Sequence, residues 1–196
     1  MIWFSSDSHY FHSNIIKYCN RQFATLDEMH SELICRWNRV VKDGDIVYFL
    51  GDFSFGDIEL GKEILAKLNG YKILISGNHD RGNLAMLEMG FNEVHKMLTL
   101  DIEGENVLLC HYPYRPLQTE QTSEYELKHM KKRPINKGKW LLHGHVHDSW
   151  KQKGKMINLS VEMWKYTPVS VDEIAQLIKA GPSDISLKVA SAKKDL

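Results

Sequence analysis

The sequence contains little cysteine, no long apolar run and no excess of charge of either sign. Its 196 residues include only three cysteines, at positions 19, 35 and 110, and none belongs to a Cys-x-x-Cys pair. This number is too small for a disulfide framework and favours a reducing environment. No apolar run approaches the ~18 residues of a membrane-spanning helix, and the amino terminus lacks a signal-peptide pattern. We therefore predict a cytoplasmic location and no membrane partner.

Positive and negative side chains are balanced in this chain. Lysine and arginine together number 25, as do aspartate and glutamate. A chain without net positive charge lacks the field that binds a nucleic-acid backbone strongly, so any such contact would have to be local. The 43% hydrophobic and 26% charged content are ordinary for a globular protein. We predict one domain over residues 1–180 and, because periodicity is weak beyond it, a surface tail over residues 181–196.

The sequence does contain five short apolar runs that each end in a cluster of Asp, Asn or His. The runs occupy residues 2–4, 46–50, 73–75, 107–110 and 140–142. Short β-branched or aromatic runs that end in glycine and polar residues are typical of buried strands. In α/β folds reactive groups gather beyond the carboxyl ends of strands, so five such ends can converge on one crevice. The pattern predicts a metal site in that crevice.

Helical patterns alternate with these strands. Thr25 is followed three residues later by Glu28, which is the spacing of a capping box, and apolar residues then recur at helical intervals up to residue 41. Residues 57–68 predict a second helix, which stops at the Asn-Gly pair that follows. Residues 171–180 predict a closing helix. Strands that alternate with helices indicate an α/β fold.

The second half of the chain shows a different pattern. Residues 95–112 contain two strand-like runs joined by a polar turn, which predicts an antiparallel hairpin and hence a mixed sheet. Residues 155–161 predict a further strand. Residues 113–139 are polar and predict a loop with a short helix near residues 124–130. The basic run at residues 131–133 within this loop is interpreted as a solvated face, with a partner-binding patch as the alternative.

The spacing of the polar residues indicates metal binding. Asp7 and His9 occupy alternate positions, which point the same way at a strand end, and His145 and His147 repeat that geometry. Glycines precede the polar residues after two other runs, where the backbone must turn sharply. A single buried histidine is more often a hydrogen-bonded core residue than a ligand. The combination of five such clusters makes a metal site the stronger interpretation.

The five clusters read Asp-x-His, Gly-Asp, Gly-Asn-His-Asp, a lone His and Gly-His-x-His, in this order over residues 7–147. This set resembles the calcineurin-like metallophosphoesterase superfamily. The first cluster, from Asp7 to Asn14, is similar to that of the small stand-alone bacterial and phage members. The resemblance implies two facing mixed β-sheets flanked by helices, as a four-layer αββα sandwich. It also implies a binuclear metal centre that hydrolyses phosphoesters.

The resemblance further implies which residues bind the metals. One ion would be held by Asp7, His9 and His147, the other by Asn78, His111 and His145, with Asp52 bridging the two. A bridging carboxylate can hold two divalent ions ~3.5–4 Å apart, which suits in-line displacement at phosphorus. The mixture of nitrogen and oxygen ligands suits Mn²⁺, Fe or Zn²⁺ better than Ca²⁺, but residue type does not choose among these metals. We predict two divalent ions, taken as Mn²⁺, with Fe, Zn²⁺, Ni²⁺ or Mg²⁺ as alternatives.

Roles around the metals are also implied by the resemblance. His79 would be the general acid that protonates the leaving oxygen, and Asp80 would orient its imidazole. The alternative for His79 is a simple turn residue. Candidate substrate-binding residues are His12, Asn14, Arg21 and Arg115, each weighed against a structural role. Phe11, Tyr112 and Tyr114 are candidate stacking surfaces for a nucleobase, with burial in the core as the alternative.

The expected reaction is hydrolysis of a phosphodiester, either a nucleotide or a nucleic-acid end, by a metal-bound hydroxide. Alternatives are a phosphomonoesterase acting on small metabolites or nucleotides and a non-catalytic metal-binding scaffold. The second cluster lacks the arginine of the protein Ser/Thr phosphatases of the superfamily, which disfavours that activity. The chain has no room for the DNA-capping domain of the repair nucleases, which disfavours a processive nuclease. The oligomeric state stays open.

Overall fold

The computed structural model describes residues 1–116 and 129–186. In chain order its strands are β1 (Ile2–Ser5), β2 (Ile46–Phe49), β3 (Tyr71–Ile75), β4 (Glu93–His95), β5 (Met97–Ile102), β6 (Glu105–Cys110), β7 (Trp140–His143), β8 (Gln152–Gly154), β9 (Met156–Asn158), β10 (Val169–Ser170) and β11 (Ser183–Ile185). Its helices are α1 (Ser13–Tyr18), α2 (Leu26–Val40), α3 (Ile58–Leu65), α4 (Asn83–Met89) and α5 (Val171–Ala180).

The first sheet has the strand order β10-β1-β2-β3-β4. Strands β1 to β4 run parallel, and β10 pairs antiparallel with β1. Parallel strands need crossover connections, which the helical segments between them supply. Helices α2 and α3 bury apolar side chains such as Leu33, Trp37 and Ile64 in a cluster with Phe49 and Leu74 of the sheet. The four parallel strands therefore end at the same edge.

The second sheet has the strand order β11-β8-β9-β7-β6-β5. Strands β6, β7 and β9 run parallel, and the other neighbouring pairs are antiparallel. Fully buried side chains of both sheets share one apolar cluster, which includes Phe4 and Ile75 of the first sheet and Leu109, Leu142 and Ile157 of the second. Their burial between the sheets drives the packing. The prediction of two facing mixed sheets flanked by helices is confirmed.

The structure confirms three local predictions: the capped start of α2, the β5–β6 hairpin and the closing helix. Helix α2 begins after Thr25, whose side chain accepts a hydrogen bond from the backbone N–H of Glu28. Strands β5 and β6 form the predicted antiparallel hairpin. Glu103 and Gly104 in its turn both have positive φ, as a two-residue hairpin turn requires. The closing helix α5 has the predicted bounds, 171–180.

Two segments end earlier than the sequence predicts. Helix α3 ends at Leu65, because the backbone N–H groups of residues 67 and 68 bond to carbonyls three residues back and tighten the chain into a turn. Strand β9 ends at Asn158, whose side chain accepts a hydrogen bond from the N–H of Ser160. This bond begins a turn that continues into a 3-10 helix over Val161–Trp164.

Part of the segment predicted as a surface tail, Ser183–Ile185, is a regular strand. These residues form β11, an edge strand paired antiparallel with β8. The side-chain amide of Gln152 donates to the carbonyl of Gly181 and fixes the chain before this strand. The short helix predicted near residues 124–130 lies mainly outside the described residues, and Met130–Lys132 forms a single 3-10 turn.

Two short helices, α1 and α4, were not predicted from the sequence. Helix α1 buries Ile15, and α4 buries Met86 and Met89. Their six and seven residues are too few to show a clear helical period, which explains the omission. Among the described residues, no helix combines the length and the apolarity needed to cross a bilayer.

Candidate metal centre

The residues predicted as metal ligands follow five strands whose carboxyl ends meet at one edge of the two sheets. They are Asp7 and His9 after β1, Asp52 after β2, Asn78 after β3, His111 after β6, and His145 and His147 after β7. Five of the seven are at most 5% exposed, namely Asp7, His9, Asp52, His111 and His145. Buried ionisable groups in this number need pairing or a metal, because burying an isolated charge is costly.

Five of these residues have a left-handed backbone conformation. The angle φ is 57° at Asp7, 52° at His9, 58° at Asp52, 74° at His145 and 46° at His147. For residues other than glycine this conformation costs on the order of 1–3 kcal/mol and persists only where the surrounding structure imposes it. Such residues concentrate at functional sites, so the backbone independently marks this edge of the sheets.

Two positions require glycine, because the backbone there passes close to the carboxylates of ligand residues. A Cβ atom at Gly77 would collide with Oδ1 of Asp52. A Cβ atom at Gly144 would collide with Oδ2 of Asp7 and with the hydroxyl of Ser6. Only a residue without a side chain lets the backbone lie this close to the carboxylates.

Asp7, His9 and His147 form a first group of potential ligands, with ligand atoms within 4.8 Å of one another. Asp7 Oδ1 lies 3.8 Å from Nε2 of each histidine. These distances are too long for hydrogen bonds. They approach the separation of roughly 3–3.5 Å between two ligands that are each about 2.1 Å from one ion. Neither ring nitrogen of buried His9 has a hydrogen-bond partner among the described residues, so a metal ion fits this position.

Asp52 and His111 join Asp7 in a second group of potential ligands. His111 Nδ1 lies 2.7 Å from the carbonyl oxygen of Leu50, and its Nε2 lies 3.1 Å from Asn78 Oδ1. Burial alone would lower the pKa of His111, but the Asp52 and Asp7 carboxylates raise it above its ordinary value. His111 Nε2 faces Asn78 Oδ1 and lies 3.5 Å from Asp52 Oδ2, so a cation there would have nitrogen and oxygen donors around it.

Asp52, a member of the second group, also lies close to the first group. Its Oδ2 is 3.7 Å from Nε2 of His9 and 3.5 Å from Nε2 of His111. The ring of His145 is 5.2 Å from the ring of His111, which places His145 on the second side. Burial raises the pKa of Asp52, and a nearby cation would favour its carboxylate form. This position suits a carboxylate shared by two ions.

A buried charged pair supports His147. Glu162 Oε1 lies 3.4 Å from His147 Nδ1 and accepts hydrogen bonds from Arg21 Nη2 at 2.7 Å and Nε at 3.0 Å. Arg21 also donates to the carbonyls of Asp7 and Ser8, both at 2.7 Å. Burial opposes ionisation of Glu162, but Arg21 and His147 lower its pKa to about 2. The carboxylate therefore orients the imidazole so that Nε2 faces Asp7.

The protonation states of His9, His145 and Asp7 suit metal binding, which requires neutral imidazoles and ionised carboxylates. Burial lowers the pKa of His9 to about 4 and that of His145 to about 2, so both are neutral at pH 7. Burial alone would raise the pKa of Asp7, but His147, His9 and His111 hold it well below its ordinary value. The donors fit a divalent cation.

His79 and Asp80 stand next to these ligands. His79 is 44% exposed, its Nε2 lies 4.0 Å from Asp52 Oδ2, and its backbone N–H donates to Asp52 Oδ1 at 2.9 Å. The Asp80 carboxylate accepts hydrogen bonds from the backbone N–H groups of Asp52, Phe53 and Gly77. The structure therefore shows Asp80 holding two loops together, whereas the sequence predicts a contact with the His79 ring.

A further set of potential ligands, Cys19, His147 and Glu162, lies behind the first group. It shares His147 with that group, and Glu162 is already paired with Arg21. Cys19 is buried, and burial raises the pKa of its thiol above the ordinary value. We therefore assign this set to the support of His147.

A comparison with protein families bears directly on this arrangement. The model of the calcineurin-like phosphoesterase superfamily domain matches residues 1–161, which include all seven potential ligands and His79. The chain belongs to the calcineurin-like phosphoesterase superfamily. As a member it is a metal-dependent phosphoester hydrolase, and its ligand groups fit the divalent ions that the family implies.

Relatives of this phosphoesterase match along most of its length. The uncharacterized protein MJ1445 of Methanocaldococcus jannaschii is 40% identical over 189 residues, which cover 92% of each chain. The Gene 66 protein of Mycobacterium phage D29 is 29% identical and covers 90% of this chain and 95% of its own. The crystal structure of AQ665, a protein of unknown function from Aquifex aeolicus, is 30% identical with a TM-score of 0.66, and the match covers 90% of this chain and 98% of that one.

The phosphoesterase places one of its four predicted substrate-binding residues in the cleft beside the metal ligands. His12 lines this cleft and stacks on Phe55, with ring centroids 4.0 Å apart. Asn14 is exposed on α1, and Arg115 lines a neighbouring hollow and donates to a backbone carbonyl. Arg21 is buried, and its guanidinium bonds to Glu162 and to backbone carbonyls. For Arg21 a supporting role replaces the predicted substrate contact.

The three predicted stacking residues expose little of their rings to a ligand. Tyr112 and Tyr114 are each 5% exposed and belong to an apolar cluster of the second sheet. Phe11 is partly buried and packs edge-on against His30. The exposed aromatic rings near the site are instead Tyr18 and Phe55, which the sequence analysis did not select.

Three supporting residues were missed by the sequence analysis. Ser6 and Ser160 donate hydrogen bonds to Asp7 Oδ2 at 2.6 Å and 2.9 Å, and Glu162 supports His147. Asn158, Ser160 and Glu162 alternate directly after the apolar residues of β9. This is the same pattern of polar residues beyond a strand that identified the ligands, and it could have identified the supporting residues too.

Proposed function

We propose that this phosphoesterase hydrolyses a phosphodiester with two divalent ions bound at the site. The observation that carries the proposal is the position of Asp52 Oδ2, 3.7 Å from His9 Nε2 and 3.5 Å from His111 Nε2. A carboxylate between two sets of imidazoles can bridge two ions. The first ion would be held by Asp7, His9 and His147, and the second by Asn78, His111 and His145.

Divalent ions bound there would supply positive charge for the phosphoryl oxygens and would acidify a coordinated water that acts as the nucleophile. We propose Mn²⁺ as the metal, with Fe, Zn²⁺, Ni²⁺ and Mg²⁺ as alternatives that the mixed nitrogen and oxygen donors also accept. The protein itself supplies fixed ligand positions, because buried hydrogen bonds hold Asp7 and His147 before any ion arrives. Such preorganisation lowers the reorganisation needed during reaction.

His79 is positioned to give its proton to the leaving oxygen. Its exposed ring stands beside Asp52, at the side of the cleft. Burial lowers the pKa of His79 to about 4 in the metal-free protein, and a bound anionic phosphoester would raise it. In the reaction the oxygen of water forms the new bond to phosphorus, the bond to the leaving oxygen breaks, and that oxygen takes the proton.

Two hollows flank the ligands and favour a diester over a monoester. A cleft of about 570 Å³ is bordered by His9, His79 and His147. A second hollow of about 360 Å³ is bordered by Gly77 and Tyr112, next to the second ion's ligands. A diester carries a substituent on each side of phosphorus and so needs space on both sides. A monoester needs space on one side only.

The proposal is tested by Mn²⁺-dependent hydrolysis of bis(p-nitrophenyl) phosphate measured beside p-nitrophenyl phosphate. We expect faster cleavage of the diester. The Asp52→Asn protein serves as the control for contaminating activity and should be inactive on both. Faster cleavage of the monoester would support the phosphomonoesterase alternative. No cleavage of either substrate with any of the candidate metals would support the metal-binding scaffold.

A further inference from the structure

The cleft beside His79 has an aromatic and apolar wall. Tyr18 of α1 and Phe55 of the loop after β2 line it together with Ile15 and Val146. Tyr18 is 71% exposed and Phe55 is 40% exposed. Tyr112, the aromatic ring next to His111, is buried by contrast. Exposed rings next to a reaction centre are available to a ligand in a way that core rings are not.

Phe55 is exposed and yet firmly placed. Its ring stacks on His12 with centroids 4.0 Å apart and an interplanar angle of 16°, and it contacts His79 at 4.5 Å. Its backbone N–H donates to the carbonyl of Tyr10 at 2.8 Å. His12 also contacts Tyr18 edge-on at 6.0 Å, so the two exposed rings are joined through one imidazole. Because packing already fixes this ring, little conformational entropy is lost when a flat group binds against it.

The charge of the cleft distinguishes it from the second hollow. No lysine or arginine is among the described residues that line the cleft, and its polar rim includes Asp148 and Ser149. The hollow beside Gly77 is bordered by Lys96, Lys131 and Lys132. The cleft therefore suits an uncharged flat group with hydroxyl or amino substituents, and the anionic part of a substrate belongs at the metals and the lysines.

We infer that the cleft binds the nucleoside of a nucleotide-type phosphoester, with the base against Tyr18 and Phe55. A nucleoside has the required chemistry, because its base is flat and uncharged and its ribose hydroxyls can bond to Asp148 and Ser149. His79 borders the same cleft, so the nucleoside occupies the side of the leaving group. This assignment rests on the proposed function and specifies its substrate class as an ester whose leaving group is a nucleoside.

The test measures binding of radiolabelled adenosine to the metal-loaded full-length protein by equilibrium dialysis. Adenosine contains no phosphoester, so its binding is independent of hydrolysis. Because stacking on one aromatic ring is worth ~1–3 kcal/mol per base, Tyr18→Ala should weaken binding roughly 5- to 150-fold. Phe55→Leu, a second variant, should weaken it similarly. Tyr71→Ala, which removes a 42%-exposed tyrosine at the opposite end of β3, should leave binding unchanged.

Two further compounds, ribose and an adenylate tetranucleotide, are tested as competitors of bound adenosine. Ribose, which lacks the base, should fail to displace adenosine at concentrations where unlabelled adenosine does. Displacement by the tetranucleotide that also depends on Tyr18 would assign the cleft to an RNA end, and displacement by adenosine alone would assign it to a mononucleotide. Binding of adenosine that is equal in Tyr18→Ala and wild type would overturn the inference.

The two proposals fail separately. Hydrolysis of the diester without Tyr18-dependent adenosine binding would leave the proposed function intact and refute the nucleoside cleft. Adenosine binding without hydrolysis of either nitrophenyl ester would refute the proposed reaction, and the cleft would then be a nucleoside site on a non-catalytic scaffold.

Discussion

The two groups of potential metal ligands are held in place by different means. Behind His147 in the first group lies a buried charged pair, Arg21 and Glu162, with a guanidinium–carboxylate distance of 2.7 Å. His111 in the second group is held by a backbone carbonyl, that of Leu50, at 2.7 Å. A side-chain pair can be changed without moving the backbone, whereas a carbonyl cannot be removed by substitution. The first group should therefore be the one that mutation can weaken selectively.

The largest effect should come from Gly144→Ala. The added methyl group would collide with the Asp7 carboxylate and the Ser6 hydroxyl, and we expect loss of the first ion. Overpacking a filled site of this kind typically costs about 1–3 kcal/mol of stability. Metal content after dialysis and thermal denaturation of the metal-free protein measure the two effects. Gly44→Ala is the control, because no atom lies within 4 Å of a Cβ there. Full retention of both ions in Gly144→Ala would contradict the prediction.

A more selective effect should come from Glu162→Gln. The substitution keeps the size of the side chain but removes the charge that orients His147 and pairs with Arg21. Loss of such a supporting group typically lowers metal affinity 10- to 100-fold. We expect this loss for one ion only, measured by stepwise titration of the metal-free protein with Mn²⁺.

The control for Glu162→Gln is Glu28→Gln, which removes an equivalent charge from the exposed start of α2. It should leave both affinities unchanged. Equal weakening of the two ions in Glu162→Gln would indicate a general loss of structure and would remove the distinction between the two groups.

The smallest effect on metal binding should come from His79→Ala, because His79 belongs to neither group. Both ions should be retained, while turnover of a substrate with a poor leaving group falls about 10²- to 10⁴-fold, as expected for a lost general acid. Cleavage of p-nitrophenyl esters should fall least, since p-nitrophenolate leaves without a proton. His95→Ala removes another half-exposed imidazole and serves as the control. An unchanged rate on the poor leaving group would exclude His79 as the acid.

The fold and the ligand positions could be predicted because their signals are local. Strands β1, β2, β3, β6 and β7 each combine an apolar run with a polar end within a few residues. The parallel arrangement of strand ends then brings residues as far apart as Asp7 and His147 to one edge. The long-range pairing of the residues that support the ligands has no such local signal.

Arg21 shows why. A long flexible side chain reaches in a direction that only the surrounding packing decides, and its partner Glu162 lies 141 positions away in the sequence. Both a substrate contact and an internal ion pair are consistent with an arginine near Asp7 in the sequence. Strand β11 is a similar case. Its three mostly exposed residues carry no apolar pattern, and they form a strand only through pairing with the edge of β8.

The bonds from Ser160 and Glu162 to the amino-terminal part of the site also constrain the order of events during synthesis. Ser160 donates to Asp7 across 153 positions of sequence, and Glu162 pairs with Arg21 across 141. Asp7 and His9 leave the ribosome long before these partners exist, and contacts of such long range form late in folding. The first ion can thus be enclosed only after the chain has been synthesised beyond Glu162. Metal content is therefore a measure of finished folding as well as of catalytic competence.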